Sequence, residues 1–372
     1  MKIQYKENVG PVIMGLLNGV KHTAQTFAAL KGLDTNQLEM IMKGSSLLTP
    51  DVEKALVSHP GINQKYFYPP EVWDAFPVID DTVEGVLNMT IEETKNTART
   101  ISRGPEKTPY YIYADTALSN FSLFRPEWIK MLYAHNGETP DIPDWAFNKG
   151  HFEHQITYFI GPVNFYWIDE NGKKYVRQMN TGDMNYITPF VPHSFATRKE
   201  GEGLILAVTY GGAAATDKFQ AKIKLMGLEN YLREIKKQFP RLLNNPLDEH
   251  HGVLFKTSGA PLNIPYQQKT KAEECETTLE KEKIDSEIWG YNISNARFVL
   301  QWGDNKKEVG PGDSFFIRSN VPHIFRKKDD GKLLIIKIRP EESDPFTELA
   351  LIHRYSGENG LKRAHTETTR WY

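Results

Sequence analysis

Residues 10 to about 65 carry apolar side chains at the three- and four-residue spacing of amphipathic helices. One helical segment ends at Gly32, which suits a left-handed turn, and Asp34 or Thr35 can cap the next helix. Helix, glycine turn and helix resemble the helix-turn-helix unit of the Cro/repressor type, so a DNA-binding regulator is one hypothesis. The second helix, however, carries Asp34 and Glu39 at its start and middle without Arg or Lys, and would repel phosphates. A packing unit that does not touch DNA is therefore favoured.

The pattern changes between Pro109 and Tyr210 to short runs of aromatic and β-branched residues, separated by turns that contain Gly and Asp. Short strands at regular spacing indicate a jelly-roll barrel. Helical spacing returns over residues 213–247, and strands resume from about residue 250 to Arg339. The chain is thus predicted to alternate helical unit, barrel, shorter helical unit and barrel.

Two segments of the first barrel recur in the second half of the chain. Residues 158–174 match residues 291–307. Residues 182–195, which begin Gly-Asp and end Pro-His-Ser-Phe, match residues 312–325, which begin Gly-Asp and end Pro-His-Ile-Phe. A repeat with a period near half the chain indicates duplication of a domain pair and not a solenoid.

Composition excludes several classes of protein. The 372 residues suffice for two or three domains, and 40% hydrophobic with 25% charged residues is typical of a globular protein. A formal net charge of -2 favours neither nucleic acid nor a membrane surface as a partner. The single cysteine, Cys275, excludes a disulfide within the chain and a Cys-rich zinc site. Since the N-terminus has no apolar signal region and no apolar run has the length of a membrane span, a cytoplasmic protein is expected.

Two histidines and a carboxamide in the first barrel form a candidate metal site. On a strand, residues 151, 153 and 155 share one face and His154 points to the other. His151 and Gln155 could then reach one metal ion, with His193 on a facing strand as the third ligand. Two imidazoles and an oxygen donor are the ligand set of non-haem Fe(II) oxygenases. Each residue alone is more often structural, so the prediction depends on their joint occurrence, and Glu153 remains an alternative to Gln155.

The second barrel serves as an internal control for this site. The register that aligns the two barrels puts Ile284 opposite His151 and Ile288 opposite Gln155, and of the three ligands only the second histidine persists, as His323. One imidazole does not hold iron. The second barrel is therefore predicted to be metal-free and structural.

A lysine in the helical unit, an arginine, Tyr-x-Tyr and Asn-x-x-His before the metal ligands together resemble the phosphonate-processing cupin oxygenases with non-haem iron. This family includes hydroxypropylphosphonate epoxidase, hydroxyethylphosphonate dioxygenase and methylphosphonate synthase, and the resemblance covers nearly the whole chain. Epoxidase-like members carry Glu four residues after the first His, where this chain has Gln155. Dioxygenase-like members carry a carboxylate six residues before the last His, where this chain has Ile187. Glutamine combined with an apolar residue is similar to the methylphosphonate-forming members.

The resemblance implies an α+β, mainly β fold: a tandem repeat of a small helix-turn-helix-like unit and a cupin jelly-roll barrel, with the second barrel degenerate. The expected boundaries are 1–68 for the helical domain and 69–212 for the catalytic barrel. Residues 213–249 would form the second helical unit and residues 250–372 the metal-free barrel.

The resemblance also implies the site residues. His151, Gln155 and His193 would hold Fe(II), with Ile187 and Glu153 directly behind them. The implied substrate-binding residues, whose donors suit a phosphonate dianion, are Lys21, Arg103, Tyr111, Tyr113, Asn148 and Lys337. Lys107 competes with Arg103, and from the sequence alone Lys21 and Lys337 could equally be solvated surface lysines. Lys21 matches a lysine that in these enzymes often reaches into a neighbouring subunit's barrel, which implies a homo-oligomer, either a dimer or a tetramer.

The implied reaction is cleavage of 2-hydroxyethylphosphonate by O2 to methylphosphonate and bicarbonate or CO2. The substrate would supply all four electrons, so no 2-oxoglutarate is required. Two alternatives remain open: a sibling oxygenase that forms hydroxymethylphosphonate and formate or an epoxide, and a cupin-type regulator that binds DNA. No nucleic acid or membrane partner is expected.

Overall fold

The computed structural model describes residues 9–103, 107–142, 147–211, 219–242, 252–257, 260–264, 270–276, 285–339 and 345–356. Its helices are α1 (Gly10–Gly19), α2 (Ala24–Lys31), α3 (Thr35–Met42), α4 (Pro50–Val57), α5 (Ile91–Asn96), α6 (Phe219–Met226), α7 (Leu228–Leu242) and α8 (Pro345–Tyr355). Within these described ranges, every helix is too short or too polar to cross a membrane.

The predicted helix-turn-helix elements are present, and their ends follow from the expected capping residues. The Thr23 side chain accepts a hydrogen bond from the backbone N–H of Thr26 at the start of α2. Gly32 ends that helix with φ 66°, in the left-handed region that favours glycine. Asp34 accepts a hydrogen bond from the Asn36 N–H and caps α3. The glycine turn and the Asp34 cap are therefore confirmed.

The strands of the first half are β1 (Val86–Met89), β2 (Arg99–Arg103), β3 (Thr108–Asp115), β4 (Phe124–Met131), β5 (His154–Ile160), β6 (Val163–Ile168), β7 (Lys174–Met179), β8 (Met184–Ile187), β9 (His193–Thr197) and β10 (Leu204–Tyr210). Those of the second half are β11 (Val253–Lys256), β12 (Leu262–Asn263), β13 (Lys271–Cys275), β14 (Glu287–Asn292), β15 (Phe298–Trp302), β16 (Asn305–Val309), β17 (Ser314–Ile317), β18 (His323–Lys327) and β19 (Leu333–Ile338). The fold is α+β and mainly β.

Each half of the chain supplies a large sheet and a small one. The first large sheet has the order β11-β8-β5-β10-β4-β3-β2, and β7-β6-β9 form its small sheet. The second large sheet has the order β1-β17-β14-β19-β13-β12, and β16-β15-β18 form its small sheet. All pairings within these sheets are antiparallel, as expected for the strands of a jelly roll.

Strand pairing crosses the predicted domain boundaries. Strand β1, assigned from the sequence to the barrel of residues 69–212, pairs with β17 of the second half. Strand β11, assigned to the barrel of residues 250–372, pairs with β8 of the first half. Helix α8 also leaves its predicted domain, since its Phe346 and Leu349 belong to the buried core of the N-terminal helices. Non-local pairing of this kind leaves no signature in local hydrophobic periodicity.

The two large sheets pack through their outer faces, and the first barrel keeps a separate interior. Tyr158 and Tyr186 lie in one buried cluster with Trp289 of the second large sheet. The interior cluster of the first barrel contains Phe165 of β6 and Ile187 of β8. The end of α1 lies next to the mouth of this interior, and this contact brings the helical unit to the candidate site.

We predict that Gly15→Ala destabilises the fold, although alanine favours helix by up to about 1 kcal/mol over glycine. A Cβ at Gly15 would overlap the imidazole of His353, which is buried between α1 and α8. Overpacking of this kind costs about 1–3 kcal/mol and should outweigh the helix propensity. Urea unfolding should show a lower midpoint, whereas Met40→Ala, at a half-exposed site in α3, should leave it unchanged. A rise in the midpoint for Gly15→Ala would contradict the packing of α1 on α8.

Candidate metal and substrate site

Three candidate ligands converge in the interior of the first barrel. His151 precedes β5, Gln155 lies on β5 and His193 begins β9. The rings of His151 and His193 are perpendicular, with centroids 5.2 Å apart. The Oε1 atom of Gln155 lies 3.1 Å from Nε2 of His151. The structure thus brings together all three residues that the sequence predicts as ligands.

The hydrogen bonds of the two imidazoles indicate which nitrogen atoms face the metal position. Nδ1 of His151 lies 2.7 Å from the carbonyl oxygen of Glu153, and Nδ1 of His193 lies 2.9 Å from that of Val191. A carbonyl only accepts, so both Nδ1 atoms carry the proton and both Nε2 atoms present a lone pair. This is the arrangement in which metal-binding histidines are usually held.

Gln155 turns its oxygen toward the same position. Its Nε2 donates to Oγ1 of Thr157 at 2.8 Å, which leaves Oε1 to face Nε2 of His151. Two acceptor atoms at 3.1 Å repel each other unless a cation lies next to both. The donor set therefore fits a divalent metal ion, with two neutral imidazoles and one amide oxygen.

Burial keeps the first histidine neutral, as a ligand must be. Desolvation lowers the pKa of His151 below its usual range, although the nearby Glu153 carboxylate acts in the opposite direction. The imidazole is therefore uncharged at neutral pH and can bind a metal without first losing a proton.

The backbone before β5 is bent, and this places Glu153 behind the metal position. Residues 151–153 precede the strand, so the predicted alternation of side chains does not apply to them. The Glu153 carboxylate lies 3.5 Å from Nδ1 of His151, on the ring edge opposite to Gln155, and 3.6 Å from Nη2 of Arg125. Among the described residues, no three His, Cys, Asp or Glu side chains form a metal-binding group. The geometry favours Gln155 over Glu153 as the third donor.

His154 points away from the site, as strand alternation predicts. Its ring stacks on Tyr186 and Tyr210 in the outer face of the sheet, and Nδ1 lies 2.6 Å from the Tyr186 hydroxyl oxygen. Burial lowers its pKa to about 3. His154 is therefore a neutral structural histidine within the core between the sheets.

A glycine turn fixes the segment that carries His151. Gly150 has φ 76°, and a Cβ there would overlap the backbone of Phe190. Asn148 closes the same turn, because its Oδ1 accepts hydrogen bonds from the N–H groups of Gly150 and His193. Its Nδ2 lies 3.0 Å from Nε2 of His193. Asn148 thus reaches the metal-facing side of the cavity, where the sequence predicts a substrate contact.

The cavity in front of the candidate ligands is lined by both cations and anions. Lys21 is only 4% exposed to solvent. Its Nζ atom lies 3.7 Å from Oε1 of Glu127 and 5.9 Å from the ring centroid of Tyr113. Arg125 lies between the carboxylates of Glu127 and Glu153, at 3.9 and 3.6 Å. These long contacts leave the guanidinium Nε and Nη1 atoms buried without a hydrogen-bond partner. A small anion would supply acceptors for them.

Lys21 reaches the barrel of its own chain. The expectation that this lysine enters a neighbouring subunit's site is therefore corrected, and with it the need for a dimer on that ground. The reason is that α1 ends beside the barrel mouth, so the residue after its C-terminus already lies in the cavity. Burial lowers the pKa of Lys21 to about 8, against the opposing attraction of Glu127.

The remaining predicted substrate contacts have different outcomes. Tyr113 lines the cavity, and so does Tyr111, whose hydroxyl lies 3.1 Å from Ser194 Oγ and donates to the Phe195 carbonyl at 3.0 Å. The Arg103 side chain lies outside the described residues, and its competitor Lys107 is exposed. The structure does not bring Lys337 to this cavity: its Nζ lies 3.5 Å from Glu273 in the second large sheet.

Arg125 and Glu127 are the cavity residues that the sequence interpretation missed. They lie two positions apart in Phe-Arg-Pro-Glu-Trp, and both are more than nine-tenths buried on β4. Two opposite charges at that spacing share one face of a strand, which is a signal that could have identified them.

Ile288, which the sequence alignment of the two halves puts opposite Gln155, lies within the described residues. Ile288 pairs with Ile317 and Lys337, as Gln155 pairs with Ile187 and Thr209. The apolar residue that the sequence predicts opposite Gln155 is therefore in the expected register. Ile284, predicted opposite His151, lies outside the described residues.

The chain was compared with known proteins. No family model matches it. Methylphosphonate synthase of Nitrosopumilus maritimus (strain SCM1) is 31% identical, over 98% of this chain and 95% of that protein. The chain belongs to the methylphosphonate synthase family.

One solved structure supports the fold of the chain, and a second resembles it more distantly. Streptomyces albus HEPD, with 2-hydroxyethylphosphonate and Fe(II) bound, superposes with a TM-score of 0.61 at 22% identity, over 98% of each chain. A variant of 2-hydroxyethylphosphonate dioxygenase gives a TM-score of 0.49 at 17% identity, over 88% of this chain and 94% of that one.

For this methylphosphonate synthase relative, we predict that Thr157→Val weakens divalent metal binding, while Thr157→Ser does not. Valine removes the acceptor that holds Nε2 of Gln155, so the amide oxygen is no longer fixed toward His151. Loss of such an orienting contact typically weakens metal affinity by about 10–100-fold. Anaerobic titration with Co(II), followed by its visible absorption, gives the dissociation constants. Equal affinities for the valine and serine variants would contradict the role of the hydroxyl.

Proposed function

We propose that this chain is an Fe(II)- and O2-dependent enzyme that cleaves the C–C bond of 2-hydroxyethylphosphonate to form methylphosphonate and bicarbonate. Membership of the methylphosphonate synthase family supports the reaction. The observation that carries the proposal is the set of candidate donors: an amide oxygen lies with two imidazoles, and among the described residues no carboxylate joins them on the Nε2 side.

The proposed reaction balances without an external reductant. One 2-hydroxyethylphosphonate dianion and one O2 give one methylphosphonate dianion, one bicarbonate and one proton. The hydroxyl-bearing carbon is oxidised to the bicarbonate carbon and loses its bond to the phosphonate-bearing carbon, which gains a C–H bond. The four electrons taken by O2 all come from the substrate.

His151, Gln155 and His193 would hold Fe(II), which supplies one-electron chemistry with O2 when bound. Three donors leave the other coordination positions open toward the cavity. Lys21, Tyr113 and Asn148 would bind the phosphonate oxygens through an ammonium, a hydroxyl and an amide N–H. Leu349 and Phe152 also line the cavity and reduce the access of water to the bound substrate.

A neutral ligand changes the charge that the metal presents to its substrate. An amide leaves the site one unit more positive than a carboxylate would. We propose that this charge, together with the apolar Ile187 in the position next to Gln155, favours transfer of hydrogen to the phosphonate-bearing carbon over release of an oxidised product. Ile187 is fully buried and is the register partner of Gln155, which supports a role behind the ligand.

We further propose that the chain arose by duplication, with a second, metal-free barrel. Matching strand orders support this: β8-β5-β10-β4 in one large sheet and β17-β14-β19-β13 in the other. His323 supports it as well, because its Nδ1 lies 2.8 Å from the Val321 carbonyl oxygen, as that of His193 does from Val191.

Phosphorus NMR of the anaerobically iron-loaded protein, given 2-hydroxyethylphosphonate and then air, tests the proposed activity. A methylphosphonate signal with one equivalent of O2 consumed would support it. Hydroxymethylphosphonate with formate would assign the sibling reaction. Absence of turnover together with salt-sensitive binding of DNA would support the regulator instead.

We predict that Gln155→Glu retains iron but shifts the products from methylphosphonate toward hydroxymethylphosphonate. The added charge lowers the positive charge of the site, while a carboxylate remains an effective oxygen ligand. The isosteric control is Glu153→Gln, which alters a carboxylate that faces Arg125 and should keep methylphosphonate as the product. Unchanged products from Gln155→Glu would refute the idea that the amide tunes the outcome.

We also predict that KM for 2-hydroxyethylphosphonate rises as the pH increases through about 8. Because burial lowers the pKa of Lys21 to about 8, the ammonium loses its proton in this range, whereas the phosphonate stays a dianion. Above that value KM should rise by up to about tenfold per pH unit. Steady-state kinetics between pH 7 and roughly 9.5 would measure this. Lys21→Arg should remove the dependence, since a guanidinium stays charged; a similar rise in that variant would assign it to another group.

A further inference from the structure

Lys21 has a backbone conformation that lysine rarely adopts. Its φ is 57°, in the left-handed region, directly after the C-terminus of α1. Glycine or asparagine is usual there. Non-glycine residues with positive φ cluster at functional sites, where the surrounding structure holds them.

Backbone N–H groups of Lys21 and His22 close this turn onto the Asn18 and Leu17 carbonyl oxygens, and Arg99 binds its outer side. The Arg99 Nε donates to the Lys21 carbonyl oxygen at 3.0 Å, and its Nη2 donates to the Val20 carbonyl oxygen at 2.6 Å. The guanidinium thus spans two consecutive peptide groups with a planar fork, which an ammonium could not do.

The guanidinium is itself fixed on its other sides. Nη2 lies 2.9 Å from Oδ1 of Asp115, and Nη1 donates to the Thr97 carbonyl oxygen at 3.1 Å. The Arg99 side chain is only 8% exposed, so water competes little for these contacts. Arg99 begins β2 and Asp115 ends β3. This ion pair on the outside of the barrel therefore binds the C-terminal end of α1.

The turn decides where the Lys21 ammonium lies. Because the chain reverses at this residue, the side chain enters the cavity, with Nζ 3.5 Å from the Gly19 carbonyl oxygen and 3.7 Å from Glu127. A right-handed residue at this position would continue α1 and direct the side chain elsewhere.

We propose that Arg99 is a positioning residue for the substrate: it holds Val20 and Lys21 in the left-handed turn and so aims the Lys21 ammonium at the phosphonate. Arg99 is not among the residues that line the cavity and acts only through Lys21. The inference rests on the proposed function as far as it names the phosphonate.

The test uses Arg99→Lys, which keeps the positive charge near the cavity but loses the fork. In the iron-loaded enzyme, KM for 2-hydroxyethylphosphonate should rise about tenfold, the equivalent of one charge-assisted hydrogen bond, with a smaller change in kcat. In a Lys21→Met background the same substitution should raise KM less than about twofold, because the group that Arg99 positions is already gone. An equal rise in both backgrounds would overturn the proposal.

A second measurement does not depend on turnover. Trace acetylation of the native protein, read by mass spectrometry, reports how accessible and reactive the Lys21 ammonium is. Lys21 should react about tenfold faster in Arg99→Lys than in the wild-type protein once the turn is released. An unchanged acetylation rate would overturn the proposed role of Arg99 in holding Lys21, even if the protein proved to have no activity on 2-hydroxyethylphosphonate.

A matched control is Arg198→Lys. Arg198 lies away from the cavity and, like Arg99, donates to two backbone carbonyl oxygens, those of Val163 and Met179. The substitution should leave both the KM and the Lys21 acetylation rate unchanged. If Arg99→Lys does not fold, Asp115→Asn removes the charge that orients the guanidinium and should produce the same effects in the same direction. No change in either measurement for a folded Asp115→Asn protein would count against the proposal.

Discussion

The site depends on the repulsion between two lone pairs. Nε2 of His151 and Oε1 of Gln155 face each other at 3.1 Å, and neither can turn away at low cost. The imidazole is fixed because its Nδ1–H is bonded to the Glu153 carbonyl, and the amide is fixed because its Nε2 is bonded to Thr157. Hydrogen bonds on the far side of the imidazole and the amide thus hold two acceptor atoms, Nε2 and Oε1, next to each other. A cation between these two atoms would remove their repulsion.

The charges in the cavity are balanced in the protein and are arranged to receive an anion. Lys21 and Arg125 face Glu127 and Glu153, at distances of 3.6 to 3.9 Å that are too long for strong hydrogen bonds. Among the described residues, Nε and Nη1 of Arg125 have no hydrogen-bond acceptor, and an anion in the cavity could supply one. Burial alone would raise the pKa of the Glu153 carboxyl, but Arg125 and Lys21 hold it below its usual range, so the carboxylate stays ionised beside Arg125. The same carboxylate lies behind His151, so substrate charge and ligand orientation are linked through one residue.

Much of this site could be predicted from the sequence, and the parts that could not have physical reasons. His151, Gln155 and His193 were predicted to lie together because their residue types and spacing are typical of a metal site, and the structure brings the three side chains together. Glu153 and Gln155 could not be distinguished, since both have the same parity on an ideal strand and only the bend at residues 151–153 separates them. Arg125 was missed because its role depends on β4 lying next to the end of α1, a contact between residues distant in sequence. The left-handed turn at Lys21 was equally invisible, because no glycine or asparagine marks it.

The pairing of strands across the two halves gives the second half a structural role at the site. Strand β8 carries Ile187 beside Gln155, and its other edge would be open if the first half stood alone. Val253 of β11 pairs with Ile187 and covers that edge. Conversely, β1 of the first half pairs with β17 of the second half and covers its edge. Each half thus closes an edge of the other, which protects both from pairing with foreign strands. Gln155, Ile187 and Val253 lie on three adjacent strands of one sheet, so the second half of the chain covers the edge of the strand that pairs with the Gln155 strand. The position of Gln155 in the first half therefore depends on a strand that the second half supplies.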